Sequence, residues 1–110
     1  MNYEHSVDDL TYFLKTDSNN NNAWFQRGMS YMKMHSVNMA IKDLLHASRI
    51  NPTDSKIYYN LALAYIDIGN NRDACIQLKK ASELKHPEQP SYYQRLATDS
   101  KVAENKFLPP

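Results

Sequence analysis

The chain has 110 residues, of which 42% are hydrophobic and 23% charged, enough for one domain with a modest core. Its formal net charge is +1, with Lys and Arg interleaved among Asp and Glu; nothing resembles the basic footprint that phosphate neutralisation requires, so nucleic acid is not expected as a ligand. Two glycines, Gly28 and Gly69, leave no Gly-rich phosphate loop, and the single Cys75 leaves no internal disulfide and no zinc-ligand spacing.

Residues 4–17 (EHSVDDLTYFLKTD) predict a helix with Ser6, Leu10 and Phe13 on one face and the acidic pair Asp8-Asp9 near its start, where the helix dipole favours negative charge. The run SNNNN at 18–22 reads as a turn, because Asn tolerates left-handed backbone and caps helix N-termini. Trp24, Gly28, Tyr31 and Met32 then recur at steps of three and four, as do Ala40, Leu44 and Ala47, with a break near Met34-His35-Ser36. The pattern returns 34 residues later as Tyr58, Leu61, Ala62 and Tyr65, a break at Gly69-Asn70-Asn71, and then Ala74, Leu78 and Ala81. Each unit is expected to be two antiparallel helices. Small residues (Gly28, Ala40, Ala47) sit where the helices cross, and large aromatics fill the adjoining volume. Residues 90–106 predict a closing helix with Tyr92, Leu96 and Ala103 inward and Lys101, Glu104 and Lys106 toward water; the FLPP beyond it cannot continue a helix.

A large aromatic at unit position 4, small residues at 8 and 20, Tyr at 11, Leu at 24, Ala at 27 and Pro at 32 form a pattern that resembles the tetratricopeptide repeat. Trp24, Gly28, Tyr31, Ala40, Leu44, Ala47 and Pro52 carry it in a unit over 21–54. Tyr58, Leu61, Ala62, Tyr65, Gly69, Ala74, Leu78 and Ala81 carry it over 55–88, where the proline slips one place to Pro87. Arg27 replaces the usual Leu at position 7, and its aliphatic stem is expected to supply that helix contact. His35 stands where the second unit has Gly69 and is expected to adopt the left-handed backbone there. The resemblance implies an all-α solenoid of antiparallel helix pairs, about six helices in one domain over 1–110. Its parts are a half-repeat helix at 4–17, the units 21–54 and 55–88, and a capping helix at 90–106.

The resemblance further implies a non-catalytic protein–protein interaction module whose first helices line a concave groove for a peptide or helix of a partner protein. Carried onto this chain, the groove is Asn22, Phe25, Gln26, Met29, Met32 and Lys33, then Lys56, Tyr59, Asn60, Leu63, Ile66 and Asp67, with Tyr93, Gln94 and Ala97 from the closing helix. Contiguous exposed apolar surface marks a binding site, and methionine suits one that adapts its shape. The alternatives are homo-oligomerisation through the same face, or a structural part of a larger repeat protein. The first helix lacks a partner helix of its own, so one face is expected to be uncovered unless another chain or an upstream repeat covers it. Relatives that hold the C-terminal carboxylate of heat-shock proteins use cations and amides at five positions. Those positions here are Phe25, Met29, Asn60, Pro90 and Gln94, and Asn60 alone matches, so that charged clamp is absent.

No catalytic group, cofactor or metal is expected. His5, His35, His46 and His86 include no pair at the i, i+4 spacing of a helical metal site. Cys75 follows the small Ala74 on a face expected to point into the array, so it is read as a buried, inert thiol. No apolar run approaches the roughly 20 residues that span a bilayer. The start MNYEHSVDD has no apolar leader core, so a cytoplasmic protein without membrane insertion is expected.

Overall fold

Five α-helices occupy the described residues, 2–85, of the computed structural model: α1 (Tyr3–Thr16), α2 (Asn21–Lys33), α3 (Val37–Ile50), α4 (Ser55–Asp67) and α5 (Asn71–Lys85). Each helix packs on the next in chain order, giving an all-α stack. The first helix runs one residue earlier than expected because Asn2 caps it, its Oδ1 accepting from the His5 backbone N–H at 3.1 Å. The expected sixth helix at 90–106, with Tyr92, Tyr93, Gln94, Leu96, Ala97 and Ala103, lies outside the described residues, as do His86, Pro87 and the FLPP end.

Two kinds of turn alternate. Within each helix pair the chain reverses through three residues, 34–36 and then 68–70. His35 takes φ 60° and Gly69 φ 77°, the left-handed conformation that closes a helix. The hydrogen bonds match one for one. His35 donates to the Met32 carbonyl and Gly69 to the Ile66 carbonyl, both at 3.0 Å; Ser36 donates to Tyr31 and Asn70 to Tyr65, both at 2.8 Å. This paired closure satisfies carbonyls that the helix end would orphan.

Between pairs, four residues separate the helices, 17–20 and 51–54. The SNNNN run splits between such a turn and a helix start: Asn21 and Asn22 open α2, and Asn20 caps it through its Oδ1, which accepts from Ala23 at 3.0 Å. An aromatic at unit position 4 then staples each turn. The Trp24 indole Nε1 donates to the Ser18 carbonyl and the Tyr58 hydroxyl to the Pro52 carbonyl, both at 2.8 Å and both across six residues. The polar tip of the ring is satisfied while its apolar body packs.

The core runs through the stack from Ile41, Leu44 and Ala47 to Ile57, Tyr58, Leu61, Ala64 and Ala81. Leu44 is fully buried because Gly28 lets α2 and α3 approach; a Cβ on Gly28 would stand 3.1 Å from Leu44 Cγ. α1 is half-covered. Val7 and Leu14 are buried, whereas Phe13, at the position Ala47 holds in α3, is 43% exposed. Cys75 corrects its expectation: it is exposed, because a helix turns about 100° per residue and Ala74 takes the buried direction.

Arg27 also departs from expectation, since its head and not only its stem is held inside. Nε donates to Asp43 Oδ2 and Nη2 to Asp43 Oδ1, both at 2.8 Å, while Nη1 donates to Thr11 Oγ1 at 3.1 Å. The side chains of Arg27 and Asp43 are 15% and 4% exposed. The bonds to Asp43 raise the Arg27 pKa further above its already high value, against the opposing effect of burial. The guanidinium also lies 4.9 Å from the Trp24 ring centroid and 5.8 Å from that of Tyr31.

These contacts and the two left-handed turns set the outcome of substitutions. Arg27→Leu restores the usual repeat residue yet is expected to cost about 3 kcal/mol, because Asp43 is left buried and unpaired. The triple change Thr11→Leu, Arg27→Leu and Asp43→Gln copies the residues one repeat later, Leu45, Leu61 and Gln77, and is expected to recover that loss; urea midpoints with unchanged m-values measure both, and a neutral Arg27→Leu contradicts the reading. His35→Gly is expected to gain about 0.5–1 kcal/mol by relieving the left-handed side chain, and Gly69→Ala to lose about 1 kcal/mol. Nothing lies within 4 Å of a Cβ at Gly69, so that loss is conformational, not steric.

Candidate functional site

On α2 and α4 the buried faces are fixed by Gly28 and by Leu61 with Ala62, so the residues about half a turn away face elsewhere. Asn22, Gln26, Lys33, Lys56, Tyr59, Leu63, Ile66 and Asp67 are exposed, and Phe25, Met29, Met32 and Asn60 are half-buried. The two helices contribute unequally. Phe25 and Met32 of α2 pack against the core cluster, whereas Tyr59, Leu63 and Ile66 form an open apolar stripe on α4, with Ile66 49% exposed. The ammonium of Lys56 lies 5.8 Å from the Phe25 ring centroid, linking α2 to α4. The Asn60 Nδ2 group donates to the Lys56 carbonyl at 2.8 Å within its own helix, so that donor is already engaged. Tyr93 lies outside the described residues.

The surface offers apolar contact, amides and a few charges. No group of three or more His, Cys, Asp or Glu side chains that could hold a metal occurs among the described residues, and no described helix is long and apolar enough to cross a membrane. The phenol of Tyr65 is raised above its ordinary pKa, first by burial and then by Asp73. It packs against the core cluster, so this shift reports packing, not chemistry.

Sequence reading missed Asp43, Thr11 and His46. The signal for Asp43 was available: Arg27 and Asp43 are both charged at positions where the second unit has Leu61 and Gln77, and two breaches one helix apart suggest a pair. His46 stacks on Trp24 with ring centroids 3.9 Å apart and planes 29° apart, a contact no spacing within one helix reveals.

Comparison with known proteins follows the same lines. The tetratricopeptide repeat pattern matches residues 22–54 and, in a second frame, 44–76; together they run over 22–76, half of the chain. Superkiller complex protein 3 of Homo sapiens is 38% identical over 66 residues, which are 60% of this chain and 4% of that protein. Tetratricopeptide repeat protein 37 of Xenopus laevis is 36% identical over 62 residues, 56% of this chain and again 4% of the relative. Among solved structures, the crystal structure of MamA superposes with a TM-score of 0.74 at 23% identity, covering 90% of this chain and 58% of that one. The Sgt2 TPR domain from Aspergillus fumigatus gives 0.74 at 23% identity, covering 98% and 74%. At such identities the structures share the fold. With its paired helices, repeated turns and matched pattern, the chain belongs to the tetratricopeptide repeat family.

Proposed function

Tetratricopeptide repeats mediate protein–protein interaction, and we propose that this chain does so as a non-catalytic module that docks a peptide or helical segment of a partner on the face shared by α2 and α4. The observation that carries the reading is the α4 stripe of Tyr59, Leu63 and Ile66, exposed on a helix whose opposite side is fully buried. Tyr59 and Leu63 serve as apolar anchors beside half-buried Phe25 and Met29, and Lys33 and Lys56 favour acidic flanks on the ligand. Gln26 bonds the ligand backbone, and Asn60 joins it as an acceptor through Oδ1. The chain covers 4% of its curated relatives, so the identity of any partner is a property to be found by experiment.

A second reading, self-association, is favoured by one observation: Phe13 and half-buried Leu10 occupy on α1 the positions that Ala47 and Leu44 hold fully buried in α3. Sedimentation at two concentrations decides it, since a concentration-independent monomer rules it out.

Panning a displayed peptide library against the full 110-residue chain tests the groove. Enriched peptides are expected to lose at least roughly tenfold in affinity for the Met29→Ala, Tyr59→Ala double variant, with helical content and melting temperature nearly unchanged. Undiminished binding to that variant disproves the assignment.

A further inference from the structure

The side of α2 that faces α3 carries a second feature, unrelated to the proposed groove. At about 100° per residue, Trp24, Arg27 and Tyr31 centre roughly 170° around α2 from Phe25, Gln26 and Met29. There Trp24 and Arg27, with Met39, Lys42, His46 and Arg49 of α3, wall a cavity of about 370 Å³. Its floor is neutral, because Arg27 and Asp43 cancel. Its rim is not. Lys42, His46 and Arg49 follow one another at steps of four and three on one stripe of α3, and both Lys42 and Arg49 are exposed. Among the described residues neither Lys42 nor Arg49 makes an ion pair, so two uncompensated cations flank the stacked Trp24–His46 rings.

We propose that this cavity is a binding site for an acidic peptide segment carrying two carboxylates about 10 Å apart, one meeting Lys42 and one Arg49. The spacing follows from the helix. Seven residues at 1.5 Å rise separate the two positions by about 10 Å, too far for one small anion to satisfy both cations. Between them the ligand passes the aromatic stack, and beyond Lys42 it meets the exposed Met39, surfaces that suit side chains and not bare phosphate. The bidentate hold of Asp43 on Arg27 fixes the cavity floor, and Arg27 in turn backs the Trp24 ring at 4.9 Å. The ligand therefore meets a preformed wall, which lowers the ordering cost of binding.

The chain contains one tryptophan, and it lies in this wall, so its fluorescence reports the site directly. Titrating the full 110-residue chain with hexaglutamate is expected to give a saturable change in Trp24 emission, weakening as salt is added. Lys42→Gln with Arg49→Gln is expected to weaken it roughly five- to tenfold, the effect of removing two exposed charge partners. Met29→Ala with Tyr59→Ala, and Lys33→Gln with Lys56→Gln, leave the response in place, which separates this site from the groove. The proposal is overturned if hexaglutamate causes no saturable change, if the Lys42/Arg49 variant responds as strongly as the parent chain, or if hexalysine responds equally. The same change from inorganic phosphate alone, at equal concentration, overturns the peptide assignment in favour of a free anion.

Discussion

The bidentate pair between Arg27 and Asp43 is the constraint on which the N-terminal half of the stack depends. It joins α2 to α3, and through Thr11 it reaches α1, so one guanidinium ties three consecutive helices. The equivalent positions one unit later, Leu45, Leu61 and Gln77, make the same junction with Leu45 and Leu61 in apolar contact with one core. The two junctions differ in kind. Apolar contact tolerates sliding, whereas a planar fork on a carboxylate admits a narrow range of geometry. Burying two charges recovers little net stability over leucines, so what the pair adds is register between α2 and α3, while α1 is held to α2 by the hydrogen bond from Nη1 to Thr11. That matters most for α1, which is covered on one side and has only Val7 and Leu14 buried.

Around that junction the fold is built by repetition of a few hydrogen bonds. Each position-4 aromatic closes the turn before its helix, and each position-11 tyrosine offers its carbonyl to the turn after it. The two devices fix where α2 and α4 begin and end. Because their bonds recur with the same partners, the two helices present corresponding residues in corresponding directions. The proposed docking face is a by-product of this regularity and needs no further specification from the surface residues themselves. Nearest-neighbour packing also keeps the effect of a change local, as repeat arrays allow.

The helices, their breaks and the left-handed histidine were legible because each rests on local rules: a 3.6-residue period, a capping Asn, a closing residue with positive φ. The role of SNNNN was legible for the same reason, through counting back from Trp24. Contacts between helices were not. Arg27 was visible as an anomaly, but its partner lies 16 residues away on another helix, and only the fold brings it near. Cys75 was misread because a buried neighbour, Ala74, says nothing about a side chain pointing a third of a turn away. The candidate groove was legible as a set of positions, but the unequal burial of its two halves was not. Phe25 and Met32 pack against the core cluster through contacts with neighbouring helices, a property of the stack and not of the helix.

Opposed faces of α2 give the chain two surfaces that do not compete for side chains. The face toward α4 is apolar and adaptable, with methionines and Tyr59; the face toward α3 is polar and stiffened, with Trp24 clamped between Arg27, His46 and the Ser18 carbonyl. Stiffness sets what each can recognise. A loose apolar stripe gains affinity from area and accepts varied sequences, while a preformed cation pair rewards one charge spacing and penalises others. Both surfaces share α2, so a ligand on one could influence the other only by moving that helix. The Arg27–Asp43 fork and the 3.1 Å approach at Gly28 resist such movement. For the two proposed sites the physical expectation is therefore independence, two segments held at once with affinities combining through proximity, not through a conformational change.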